Sequence, residues 1–307
     1  MATPRYMLVD DQEPCDYHLA SRCVRRAWLC GRDKLSGRDY SHRRRWLIER
    51  LLLLARCFAI EIYAYAVMSN HFHIIVHYDP NACLTWSDNE VADRWIDAFP
   101  PKLRPGQEPD AAKAEVRALI LGDPARLDRA RRTLGSLSHF MKHLKQPIAR
   151  RANAEDNCDG HFFEQRFYSG ALLSEQAVLA AMAYVDLNPV RAKLARRIEQ
   201  CHDASVRDRL RENSTATLVA YLQPLASGLE SNAANRVNLT LADYLDLLRD
   251  IAAALAAPAP VPTDRVARWI ARTASLRKRQ RAYGNFESLK QWTEKRGFQM
   301  RETPLPA

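Results

Sequence analysis

The chain has 307 residues, 47% of them hydrophobic, which is enough for one large domain or two ordinary ones with a sizeable core. Lys and Arg number 46 against 36 Asp and Glu, so the formal net charge is +10 and the pI about 9.4, a balance that suits a polyanionic partner such as a phosphate backbone. No apolar run reaches the roughly 18 residues of a membrane span, the opening "MATPRYMLVDDQEPC" has no apolar stretch of a secretory signal, and the seven scattered cysteines form no Cys-x-x-Cys pair; a cytoplasmic protein with reduced thiols is expected.

In chain order, residues 15 to 24 alternate apolar and polar and predict a strand. Residues 42 to 57 place Leu47, Leu51, Leu54 and Phe58 at helical spacing, with arginines elsewhere on the surface. A second strand is predicted over 60 to 68, "IEIYAYAVM", and Ser69-Asn70 turns the chain into a third, "HFHIIVH". Side chains alternate along a strand, so His71, His73, Ile75 and His77 share one face and Phe72, Ile74 and Val76 the other. The second set is a core face. The first puts the imidazoles of His71 and His73 a few ångströms apart, a spacing that can grip one metal ion or serve as a solvated, hydrogen-bonded pair.

Residues 79 to 126 carry turn signals, a double proline and little periodicity, and read as an insertion with one or two short helices. A helix over 133 to 149 buries Leu134, Leu137, Met141, Leu144 and Ile148; Lys142, Lys145, Arg150 and Arg151, with Arg166 beyond it, are candidate phosphate contacts. Residues 160 to 170 predict a strand. Ser174 is placed to cap a helix that must stop or restart at Asn188-Pro189, because proline disfavours a helical residue before it. Further on, Thr240 and Asp243 make a capping box at the head of a helix over 240 to 255, and "APAPVPT" at 257 to 263 reads as a stiff linker. The segment 264 to 301 holds 11 Lys/Arg against 3 Asp/Glu and interleaves Trp269, Tyr283, Phe286, Trp292 and Phe298. That mixture suits phosphate contacts and base stacking, or a small helical module with a solvated basic face.

Tyr184 and Asn188 lie four residues apart and share a helical face. A tyrosine hydroxyl is a poor nucleophile near neutral pH unless a neighbouring cation makes its target more electrophilic. Such a tyrosine can attack phosphate and store the bond as phosphotyrosine, with Asn188 offering an amide oxygen as a third metal ligand. Read from spacing alone, Tyr184 is first a half-buried core residue and Asn188 the N-cap of a helix beginning at Pro189.

Three blocks in this order, "YAVMSNHFHIIVH", "PIARRANAEDNCDGHFFEQRF" and "AMAYVDLNPVRAKLA", resemble the signature blocks of the single-tyrosine HUH transposases, and within them the REP-associated tyrosine transposases. The resemblance spans about residues 10 to 200. It implies a metal-dependent enzyme that nicks and rejoins single-stranded or hairpin DNA, with Tyr184 as nucleophile and His71, His73 and Asn188 holding Mg²⁺ or Mn²⁺. It also implies an α+β, ferredoxin-like fold: an antiparallel sheet with helices on one face, ordered strand–helix–strand–strand–helix–strand–helix. A mainly helical C-terminal extension follows. The corresponding division is a catalytic domain over 1 to 200, a helical extension over 201 to 256, the linker, and a basic tail over 264 to 307. Tyr168 is a rival nucleophile without an Asn four residues on. A homodimer sharing its active sites is compatible with the resemblance, as is a non-catalytic DNA-binding protein recognising palindromic repeats. The catalytic set lies within 71 to 188, so the basic tail is expected to hold DNA, and a chain ending near 256 to keep nicking.

Overall fold

The computed structural model describes residues 3–24, 28–33, 36–164, 166–211, 239–256 and 262–307. The chain opens as expected, with β1 (Cys15–Arg22), α1 (His42–Cys57), β2 (Ile60–Val67) and β3 (His71–Tyr78). The stretch after β3 differs from the expectation of one or two short helices, since α2 (Asp88–Ala98), α3 (Pro109–Leu121) and the head of α4 (Pro124–Leu134) all fall within 79 to 126. The double proline Pro100-Pro101 does separate α2 from α3, while Pro109 and Pro124 open helices, sitting in the first turn where a missing N–H costs nothing. Ser87 and Asp123 cap α2 and α4 by accepting from first-turn N–H groups. Helix α5 (Leu137–Asp156) begins at a Ser136 cap and ends on Asn157 in the left-handed region, at φ 50°. Leu134, predicted on its face, belongs to α4.

The strand expected over 160 to 170 is β4 (Tyr168–Leu172). Upstream of it, Phe162 and Phe163 are drawn off the sheet into the α1–α5 core, and Phe163 makes only an isolated bridge to Cys23. Ser174 caps α6 (Glu175–Asp186) by accepting from the Ala177 N–H at 3.2 Å. The helix breaks at Leu187 and restarts as α7 (Asn188–Arg191), as the proline requires. The extension supplies α8 (Val206–Leu210), α9 (Leu241–Ala256), α10 (Asp264–Ser275), β5 (Ala282–Tyr283) and α11 (Phe286–Lys295). At the head of α9, Asp243 N donates to Thr240 Oγ1 at 3.1 Å, which is one half of the capping box, and the Thr240 hydroxyl donates to Asp243 Oδ2 at 2.6 Å. Most of the proline-rich linker, and residues 212–238 of the extension, lie outside the described residues.

The sheet order is β2-β3-β1-β4-β5, antiparallel throughout except for the parallel pair β4–β5. Its first four strands, with α1 and α5 as crossovers, make the ferredoxin-like βαββαβ unit. Helices α1 and α5 cover one face, over Tyr17, Leu19, Phe72, Ile74 and Val76. The opposite face is covered too, by α6, α9 and α10 over Tyr63, Ala64, Ala66 and Ile75. The extension also occupies both outer edges of the sheet. Along β2, Ser205 N donates to Tyr65 O and Val67 N to Asp203 O, each at 2.8 Å. Along β4, Ala171 N donates to Arg281 O at 2.9 Å and Leu173 N to Tyr283 O at 2.8 Å.

Candidate functional site

Alternation on β3 sorts its residues as read: Phe72, Ile74 and Val76 enter the α1–α5 core, and the histidines face α6. The register then adds a residue that the sequence reading missed. His18 on β1 stands opposite Ile75, hence diagonal to His73, within cross-strand reach for an aromatic side chain. His18 Nε2 and His73 Nδ1 are 2.8 Å apart, one donating and the other accepting according to tautomer. His71 packs edge-on against His73 with ring centroids 5.0 Å apart, and its Nδ1 lies 2.8 Å from Asn70 Oδ1. His77, on the same face, is turned to other work; its Nδ1 lies 2.7 Å from Asp16 Oδ1.

Helix α6 lays Tyr184 across this cluster, 5.6 Å from the His73 ring and 5.8 Å from the His18 ring. Tyr184 is half-buried, and its hydroxyl makes no hydrogen bond among the described residues. The rival Tyr168 differs: its hydroxyl donates to Gln280 O at 2.5 Å and meets the Tyr283 hydroxyl at 2.7 Å, and burial pushes its pKa well up. Tyr184 packs against the histidines of its own chain.

His18, Arg22, His71, His73, Tyr168 and Tyr184 line a cavity of about 210 Å³, closed on its remaining side by Leu276, Arg277 and Arg279. Burial lowers the His18 pKa to about 3 and the His71 pKa to about 4, helped by Arg279 in both cases and by Arg22 at His71. His73 falls well below the ordinary imidazole value, again by burial first and then by its neighbours His18, His71 and Arg279. All three rings are therefore neutral near pH 7, the form in which imidazole carries a lone pair for a ligand. The donor chemistry of His71 and His73 fits a divalent cation at two positions. Among the described residues, no group of three or more His, Cys, Asp or Glu is arranged to hold one. Asn188 is buried at 8% exposure with Nδ2 unpartnered, and it does not line the cavity. Its side chain caps no helix.

The basic residues expected to meet phosphate lie apart from the cavity. Lys142 and Lys145 line a separate hollow of about 520 Å³ between α5, residues 160–164 and Phe167, on the other side of the sheet. Lys145 donates to Glu164 O at 3.0 Å, and burial lowers its pKa to about 8. Arg150 is exposed, Arg151 stacks its guanidinium 3.7 Å from the Trp46 ring, and Arg166 donates to Thr3 O at 3.3 Å. The cations at the cavity are Arg22, Arg277 and Arg279, with Arg191 stacked 5.8 Å from the Tyr184 ring. Parity on β1 was the available signal for His18 and Arg22. For Arg277 and Arg279 the local sequence holds none beyond a run of basic residues.

No family model and no curated protein matches the chain. Among solved structures, it is similar to that of a REP-associated tyrosine transposase bound to a REP hairpin, at 11% identity and a TM-score of 0.37, covering 74% of this chain and 93% of that one. No described helix is long and apolar enough to cross a membrane.

Proposed function

We propose that the chain is a DNA strand transferase of transposase type, which nicks and rejoins single-stranded or hairpin DNA through a covalent bond to Tyr184. The observation that carries this reading is the unengaged Tyr184 hydroxyl set against two neutral strand histidines in a cavity rimmed by arginines. In the step proposed, the Tyr184 oxygen bonds to a backbone phosphorus and loses its proton. The bond from that phosphorus to the departing sugar oxygen breaks, and that oxygen takes up a proton. Rejoining reverses the exchange with a second sugar hydroxyl, so little bond energy is lost between the two.

His71 and His73 would hold Mg²⁺ or Mn²⁺; Asn188, which does not line the cavity, would have to turn toward them to serve as third ligand. The ion would supply Lewis-acid polarisation of a phosphate oxygen. This chain's own groups do the rest. His18 holds the His73 ring through the 2.8 Å contact, so that His73 presents Nε2. Arg191 packs against Tyr184 from behind, its guanidinium anchored on the Thr273 hydroxyl.

The test is incubation of the full chain with labelled hairpin DNA carrying a single-stranded flank, in Mn²⁺, followed by a search for a protease-sensitive covalent adduct. The adduct is expected with the natural chain, absent with Tyr184→Phe, and absent in EDTA. An adduct that survives Tyr184→Phe and disappears in Tyr168→Phe moves the nucleophile to Tyr168. Hairpin binding with no adduct under any condition turns the reading into that of a non-catalytic DNA-binding protein. Cleavage undiminished in EDTA removes the cation from the scheme.

A further inference from the structure

Three guanidiniums meet at the mouth of the histidine–tyrosine cavity, and they come from distant parts of the chain. Arg22 ends β1 opposite His71, and Arg277 and Arg279 sit on the short segment between α10 and β5. All three are exposed, and among the described residues none of the three guanidiniums is hydrogen-bonded or ion-paired. Nearby arginines behave otherwise: Arg281 pairs with Glu302, and Arg296 with Asp10. Among the described residues, no Asp or Glu lines this cavity. The Arg279 charge is close enough to depress all three imidazoles. Guanidiniums left without carboxylates around a small neutral floor favour an anion, and their planar forks match a phosphate's paired oxygens. Size narrows the class. At about 210 Å³ the cavity is below the usual ~300–1,000 Å³ of small-molecule pockets, and it suits one phosphate group with its sugar oxygens.

The segment that carries two of these arginines is fastened beside them. Tyr168 donates to Gln280 O, meets the Tyr283 hydroxyl at 2.7 Å, and carries Arg279 5.7 Å from its ring. Tyr283 in turn donates to Lys278 O at 2.7 Å and accepts from Gln280 N at 3.1 Å. Gly170 is the close-approach point: a Cβ there would lie 2.3 Å from the Tyr168 hydroxyl and 3.0 Å from Gln280 O.

We propose that Arg22, Arg277 and Arg279 form a clamp for a single backbone phosphodiester, and that Tyr168 and Tyr283 are positioning residues that hold the arginine segment over the cavity. The clamp deepens the nicking reading, since it would seat the phosphate that Tyr184 attacks, but phosphate binding can be read without any cleavage.

The experiment titrates the metal-free full chain with TpT, a dinucleotide carrying one phosphodiester, and follows the imidazole NMR signals of His18 and His73. Saturable shifts are expected with TpT and none with thymidine, which has no phosphate. Arg277→Ala or Arg279→Ala should weaken TpT binding roughly tenfold each, and the corresponding Lys variants, which keep the charge but lose the fork, by less. Tyr168→Phe should weaken it several-fold in the natural chain and add nothing once Arg277 and Arg279 are both Ala, a non-additivity that loosened packing alone would not produce. No saturable shift with millimolar TpT, an equal response to thymidine, or unchanged affinity in folded Ala variants each overturns the clamp. The two readings fail separately. TpT binding without any adduct removes nicking and leaves the clamp, whereas an adduct formed at full rate by the double Ala variant removes the clamp and leaves nicking.

Discussion

At the scale of single residues, the cavity separates two tyrosines that the sequence leaves as rivals. Tyr168 engages its hydroxyl with Gln280 and Tyr283, while that of Tyr184 meets no hydrogen-bond partner among the described residues. His18 is the residue whose role is easiest to isolate. It touches His73 and stands on a different strand, so its loss leaves His71, His73 and Tyr184 in place. Outer partners of ligating histidines typically govern about 10–100-fold in metal affinity. The expected outcome for His18→Ala is therefore a rise of that order in the Mn²⁺ concentration at half-maximal adduct formation, with the limiting yield largely kept. An unchanged Mn²⁺ requirement would mean that the His18 contact only fills space.

At the scale of elements, the helix that bears Tyr184 is tied to the extension by buried polar groups. Asp186, fully buried on α6, accepts from Ser205 Oγ at 2.6 Å, from Val206 N at 2.8 Å and from the Tyr244 hydroxyl at 2.7 Å. One turn into α8, buried Asp208 accepts from the Tyr65 hydroxyl of β2. Burial raises the Asp208 pKa above 3.8 despite Tyr65, Arg207, Arg211 and Arg209, so the folded protein binds this proton more tightly than the unfolded chain does. The carboxyl's contribution to stability is then fullest below the unfolded value and declines as pH climbs through the raised one. Asp208→Asn has nothing to titrate. Its melting temperature, relative to the natural chain, should therefore rise between acid and neutral pH; a relative melting temperature that falls over that range would contradict the assignment. Elements with local signals were legible. The alternation of β1 and β3, the apolar stripe of α1, and the caps at Ser174 and Thr240 each state their structure within a few residues. The helices of the insertion were obscured because Pro109 and Pro124 signal a turn and a helix start alike. Strand β4 was displaced because Phe162 and Phe163 are apolar for the sake of α1 and α5 rather than the sheet.

For the whole molecule, the largest departure from the expectation concerns the basic C-terminal segment. It is built into the fold: α10 packs on α6, β5 pairs with β4, and Leu276 and Tyr283 belong to the core beneath the histidines. No local pattern could announce this, because the pairing partners lie far apart in the chain and each has a short apolar signature. A chain ending near 256 is consequently expected to lose function through folding rather than through DNA affinity alone. Each large buried side chain stripped of its cover forfeits about 1.5–3 kcal/mol, against a total stability of roughly 5–15 kcal/mol for a typical protein. The measurement is a thermal melt of the truncated chain beside the adduct assay. A cooperative melt near that of the full chain, with the adduct retained, would show that the segment is dispensable after all. The same extension settles how copies of the molecule can meet. Residues 203–205 line β2 along Tyr65 to Val67, and β5 with Arg281 lines β4 along Ala171 to Leu173, so these stretches of the two flanks have their backbone groups already paired. Two chains that were to zip together strand to strand along those stretches would first have to unbutton their own C-terminal halves, so the easier contacts between copies run through helices and side chains.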